Sequence, residues 1–305
     1  MSVNPKDYRV KITAMWFWYA VASAVASAIS ITFNKHSLRK IHAPLLSWAL
    51  FAFSLPTLAA IVLINGIPDF NYKLLLSALL AAILFSIAKT ITLVLMKNNK
   101  LSEFYPLVAT SPLMLYVLGL IILSETVKFV SFLGLITIIM GVYLFNFEKF
   151  EKRTKDFLHP IKTLFYNPVS RLFLFGILLA NFTALFEKIA VLNTNPSSPE
   201  FVLFIEYSLI TIFLSGYMTH KDKYWFKEIK TNFKNLFIAG TIFSILAILV
   251  VTSFITGSIA LVSAIKKLEV VFMLIIGSIF LGDKPGKKVY VATIIMILGV
   301  LLIRI

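Results

Sequence analysis

Cysteine is absent from the 305 residues, which excludes disulfides, thiolate metal sites and a cysteine nucleophile. Charge is scarce: Asp, Glu, Lys and Arg supply 14% of the chain, against about a quarter in a soluble domain. Histidine occurs only at His36, His42, His159 and His220, in or beside loops and never at metal-ligand spacing. There is no G-x-x-x-x-G-K-[ST] phosphate loop, so this chain does not itself hydrolyse ATP. H-E-x-x-H and G-x-S-x-G are missing too, and no paired-carboxylate or histidine constellation for lipid chemistry stands in the apolar stretches. No catalytic residue, metal site or cofactor is assigned, and a non-enzyme is expected. Nor is a cleavable signal peptide expected, because Lys6, Arg9 and Lys11 precede an apolar run with no cleavage site after it.

What is abundant is apolar: 59% of residues, with a mean hydropathy of +0.90. One water-soluble core could not hide so much apolar surface. A spanning helix takes about 20 mostly apolar residues, and ten runs approach or reach that length: Trp16–Phe33, Pro44–Ile64, Leu74–Met96, Phe104–Leu123, Phe129–Phe147, Leu172–Leu192, Phe201–Thr219, Leu236–Phe254, Ile259–Leu281 and Val289–Ile303. Strand alternation is absent, so the fold class is all-α, a polytopic helical bundle and not a barrel. The net charge of +15 falls mostly in short loops, where it sets topology and meets lipid phosphates; no nucleic-acid partner is expected. Trp16, Trp18 and Tyr19 read as interfacial anchors. After run seven, Trp225, Ile229 and Phe233 alternate with Lys223, Lys227, Lys230 and Lys234, either as an interfacial amphipathic helix or as a basic loop.

The longest polar stretch, Glu148 to Asn167, divides the runs five and five, which sets the organisation as 1–147, a linker at 148–170, and 171–305. The halves repeat. Leu123-Ser124-Glu125 closing run four matches Leu281-Gly282-Asp283 closing run nine. In the same ungapped register Phe85-Ser86-Ile87 meets Phe243-Ser244-Ile245, Gly119 meets Gly277, and Gly141-Val142 meets Gly299-Val300. In runs one and six, Phe33-Asn34-Lys35 matches Phe186-Glu187-Lys188. Five spans per half oblige the second half to cross in the opposite sense, as two inverted repeats with a site near the midplane.

On these residues the chain resembles the EamA-type transporters of the drug/metabolite transporter superfamily. The resemblance implies ten helices around a central cavity lined by runs one, three, four, six, eight and nine, export or exchange of metabolites, and cytosolic termini. Two departures stand out: Asp283 where Glu is usual, and Lys266-Lys267 in run nine, where many members are apolar. The loops after odd-numbered runs collect Lys35, Arg39, Lys40, Lys97, Lys100, Lys149 to Arg171, Lys221 to Lys234, Lys284, Lys287 and Lys288. The positive-inside rule therefore puts those loops in the cytoplasm and both termini outside, against the resemblance.

Charge inside hydrocarbon is the sharpest local signal, at about 2.5–3.5 kcal/mol per residue on insertion scales. Lys266, Lys267 and Glu269 lie deep in run nine, as a cavity group or as an internal ion-pair cluster. Lys89 is about 11 Å from the end of run three, within a cavity or partly snorkelling. Glu187, Lys188 and Lys35 lie near run ends, as snorkelling groups or as the mouths of one pathway. Asn181 is a solute donor or interhelical glue. Tyr105, in the proline-bent run four with Pro106 and Pro112, completes the candidate substrate-binding set. Glu103 and Glu206 are read as acids near helix starts. The expectation is a secondary transporter, in the cell membrane, of a small polar metabolite, with an anionic one among the open alternatives. The rival is a flippase for a lipid-linked phosphate or sugar. Monomer and homodimer both stay open.

Overall fold

A computed structural model describes residues 5–99, 105–151, 167–221, 225–281 and 287–304, with the backbone alone at 5–14, 105–106, 145–151, 277–281 and 287–288. The linker at 152–166, Glu103 and Asp283 lie outside the described residues. The elements are α1 (Pro5–Ser37), α2 (Ala43–Ala52), α3 (Leu55–Asn65), α4 (Tyr72–Asn98), a 3-10 turn (Tyr105–Ala109), α5 (Thr110–Ile122), α6 (Phe129–Glu151), α7 (Pro168–Leu192), α8 (Pro199–Lys221), α9 (Trp225–Phe254), α10 (Ile259–Lys266), α11 (Glu269–Leu281) and α12 (Lys287–Arg304). Two short strands, Asp69–Phe70 and Thr194–Asn195, pair antiparallel and tie the loop before α4 to the loop before α8.

Among the described residues six segments are long and apolar enough to cross a bilayer: Met15–Ser37, Ala43–Asn65, Tyr72–Asn98, Pro168–Leu192, Pro199–Lys221 and Trp225–Phe254. Leu107–Ile122, Phe129–Leu144 and Val289–Arg304 are shorter apolar helices. Large apolar side chains such as Ile121, Ile212, Val291 and Leu301 point outward on these helices, as a lipid-facing surface requires. The chain is an all-α, multi-pass integral membrane protein.

The helices depart from unbroken runs at three places, each with a local cause. Run two is split into α2 and α3 around Phe53 and Ser54, because Pro56 has no N–H for the carbonyl a turn earlier. The Ser54 hydroxyl donates to Leu50 O at 2.6 Å and to Gly240 O at 2.8 Å, which ties the kink to α9. Run four starts as the 3-10 turn that contains Pro106, then becomes α5 with Pro112 in its first turn, where a missing N–H is tolerated. Run nine breaks between Lys266 and Glu269 without any proline. There the backbone makes three-residue bonds, Lys267 N–H to Ala264 O at 3.0 Å and Leu268 N–H to Ile265 O at 2.9 Å. In the repeat register this break falls opposite the step from the 3-10 turn into α5. The basic segment after run seven is no separate interfacial helix from Trp225 on: it forms the first turns of α9. Thirty residues at 1.5 Å each make α9 about 45 Å long, more than the hydrocarbon needs. Trp225 is buried against Trp48 at 5.1 Å, and Glu228 accepts the His42 N–H at 3.1 Å.

Packing between helices follows a two-fold exchange of the halves. α6 lies along α12, α5 along α10, and α2 and α3 along α8, each pairing a run with its own repeat mate. α4 packs on α7 as α1 packs on α9, so run three on six answers run eight on one. The seam of α6 and α12 is set by small residues. A Cβ on Gly299 would stand 2.8 Å from Gly134 O and 2.7 Å from Ile138 Cγ1, and one on Gly141 would stand 3.1 Å from Ala292 O. Under the exchange Gly134–Gly299 and Ala292–Gly141 are the same contact made twice. Gly299→Ala is expected to lower stability by about 1–3 kcal/mol, since the obstructing atoms include backbone. At Gly216 a Cβ meets nothing within 4 Å, so Gly216→Ala should raise stability by up to about 1 kcal/mol. Thermal unfolding of the two variants in one detergent checks the opposite signs.

Candidate functional site

A cavity of about 280 Å³ lies inside the bundle, lined by α1, α4, α5, α7, α8, α9, α10 and the run-nine break. Among the described residues five ionisable side chains reach it besides Tyr207: Lys89, Glu187, Lys266, Lys267 and Glu269. In an unbroken α-helix residues 266 and 267 would point about 100° apart; at the break of run nine Lys266, Lys267 and Glu269 all line one cavity. Glu269 also opens α11, where the helix dipole favours an acid. Its Oε2 accepts from the Ser27 hydroxyl, which joins run one to run nine. Lys266 is within electrostatic reach of both Glu187 and Lys89, and Lys267 of Glu269. Lys89 does not snorkel: its ammonium lies over the Phe243 ring, 4.3 Å from the centroid.

Uncharged polar groups fill the gaps. The Ser111 hydroxyl donates to Asn181 Oδ1 at 2.6 Å and lies 3.4 Å from Ser263 Oγ, linking runs four, six and nine. Asn181 is thus interhelical glue that also lines the cavity. The apolar wall is aromatic, with Phe85, Phe173, Tyr207 and Phe243, and the last two stack at 5.8 Å.

Of the candidate residues, the structure brings Lys89, Asn181, Glu187, Lys266, Lys267 and Glu269 to this cavity and leaves Lys35 and Lys188 out of its lining. The Lys188 ammonium donates to Glu125 Oε1 at 2.6 Å and to Gly257 O at 2.7 Å, while Glu125 Oε2 accepts the Ile259 N–H at 3.1 Å. Lys35 donates to Met96 O and, at 3.3 Å, to Asn99 O. In the sequence register Asn99 matches Gly257 and Lys35 matches Lys188, so each lysine clasps the chain just past the third run of its own half. The Tyr105 side chain lies outside the described set. Glu206 is not near a helix start: Glu200 holds the first turn of α8 and accepts from Asn65 Nδ2 at 2.9 Å, and Glu206 sits fully buried two turns further on.

Sequence reasoning missed Ser27, Ser30 and Asn34, which line the cavity from α1. Their signal was present: Ser23, Ser27, Ser30, Asn34 and Ser37 recur at alternate steps of four and three, one buried polar stripe on an apolar helix. In the sequence Glu125 stands out only as a repeat marker; in the structure it is the partner of Lys188.

The EamA-like transporter family model matches the chain twice, over residues 14–147 and 170–305. The chain belongs to the EamA-like transporter family. The two EamA matches fall either side of the polar linker, with one family unit per half. A solved crystal structure superposes with a TM-score of 0.66 at 11% sequence identity, over 95% of this chain and 95% of its own; at that identity the likeness is one of fold. No curated protein matches the sequence. As a member of a transporter family, the chain is a membrane transporter of small molecules.

Proposed function

We propose that this EamA-family protein is a secondary transporter of the cell membrane that carries a small polar anion, a carboxylate or phosphate, by alternating access between two inverted five-helix repeats. One observation carries the reading: three lysines and two carboxylates meet in one cavity at membrane depth, at the break of run nine. Charge there is costly unless water or a counter-ion reaches it, and broken helices around a central site are a recurrent transporter device. With lysines in excess by one, an anionic solute restores balance. The exchange pattern of helix contacts, and the matched clasps of Lys35 and Lys188, support the repeat relation. The ten-span count is supported by the six long segments, the shorter apolar helices and the broken run nine.

Thermal unfolding of the purified protein against a panel of carboxylates, phosphates, neutral sugars and amines tests the charge preference, since a ligand for the folded state raises apparent stability. Stabilisation confined to the anions, followed by counterflow of the same anion in proteoliposomes, is the expected result. Stabilisation by lipid-linked phosphates alone would replace the reading by the flippase. The basic loops after odd-numbered runs put the termini outside, so a C-terminal reporter active only in the cytoplasm should stay dark.

A further inference from the structure

Glu206, on α8, has a relative exposure of 0%, and neither carboxylate oxygen has a hydrogen-bond partner among the described residues. The adjacent Tyr207 hydroxyl is likewise buried without a partner. An ionised carboxylate in such a place carries a desolvation cost of several kcal/mol, and no hydrogen bond from the described residues offsets it. Its surroundings narrow the chemistry. Of the helices packed on α8, α2 and α3 carry no ionisable side chain. α9 holds its charges, Lys227, Glu228, Lys230 and Lys234, in its first turns, and presents aromatic Phe243 at depth. On α4, Lys73 and Lys97 sit at the two ends, and Lys89 is held over Phe243. On α7, Arg171 lies in the first turn and Lys188 is engaged by Glu125 and Gly257. That leaves Glu187, on α7, which packs on α8; Glu187 lines the cavity together with Tyr207, the residue next to Glu206.

We infer that Glu206 is a proton-binding site set behind the cavity wall, and that Glu187 is the group through which its proton exchanges with the cavity. This goes beyond the transport reading: the solute cavity explains Glu187 and the lysines, but assigns no role to a carboxyl that no solute touches. The step balances simply. A proton on a Glu187 carboxyl passes to the Glu206 carboxylate, leaving Glu187 ionised beside Lys266; the reverse returns it to the cavity. Two carboxyls sharing one proton avoid placing like charges side by side. In a transporter such a site supplies proton coupling.

The site is tested without any solute, so its failure and that of the transport reading remain distinct. Purified protein in lipid nanodiscs is treated at pH 7 with dicyclohexylcarbodiimide, which forms a stable N-acylurea on protonated carboxyls in apolar surroundings, and the adduct is located by peptide mass spectrometry. An adduct at Glu206 is expected, and its absence overturns the proposal. In parallel, infrared spectroscopy should show a protonated-carboxyl C=O band at pH 7 that is missing from Glu206→Gln and shifts promptly on transfer to D2O. In Glu187→Gln the band should remain but shift at least tenfold more slowly. A band unchanged in Glu206→Gln overturns the site, and equal exchange in Glu187→Gln overturns its route. If Glu206→Gln fails to fold, the wild-type adduct still decides.

Discussion

Replacing Lys267 by Gln should weaken binding of a carboxylate or phosphate solute by roughly thirty-fold or more, at every pH, while the protein still folds. Removing one partner of a buried, hydrogen-bonded charge pair costs about 2–5 kcal/mol, and each 1.4 kcal/mol is a factor of ten in Kd. Gln keeps most of the side-chain volume and a donor, so loss of charge dominates the effect. Lys267 is 7% exposed and faces the cavity beside Glu269, so its ammonium meets water only through that space. Isothermal titration with the anion that most stabilises the wild type reads the change. If affinity persists and only its pH dependence disappears, the lysine exchanges a proton and does not hold the anion. Transport unchanged after Lys89, Lys266 and Lys267 are all replaced by Gln would leave the charges as internal pairs.

Lys188→Met should cost about 3–5 kcal/mol of stability, the range for stripping one partner from a buried ion pair. Both side chains are shielded, at 9% and 13% exposure, and the 2.6 Å contact is a direct charged hydrogen bond. The loss spreads because Glu125 also accepts the Ile259 N–H at the start of α10. Adding Glu125→Gln to Lys188→Met should restore part of the loss, because the orphaned charge goes. A double mutant as unstable as the sum of its parts would show that the pair acts through packing alone. Thermal unfolding of the four proteins gives the cycle directly.

Much of this was legible in the residues. The spans could be read because lipid asks for long apolar stretches, and six of them emerge as single long segments. Charges deep in run nine could be read as a cavity group because burial in hydrocarbon is so costly. The break beside them could not, since neither proline nor glycine marks it; only tertiary packing holds Lys267 and Glu269 to one side. Lys188 looked like a snorkelling residue because its partner, Glu125, lies in a different run, and no local spacing reports a contact between runs. Glu206 was misplaced by counting from an apolar boundary when the helix begins earlier, at Pro199. The serine stripe on α1 carries a periodic signal but a faint one, since small hydroxyls barely alter hydropathy.

That stripe has a kinetic consequence. Under the repeat register Ser27, Ser30 and Asn34 of α1 stand opposite Ala180, Thr183 and Glu187 of α7, so matching scaffolds carry unmatched linings. Under the alternating access proposed above, the solute would meet different chemistry from the two membrane faces. The two open states of that cycle would then differ in intrinsic affinity, and half-saturation should depend on the side from which solute is offered. Reconstituted protein in uniform orientation would display this sidedness as unequal KM values for entry and exit, with their ratio tied to kcat in the two directions by the overall equilibrium.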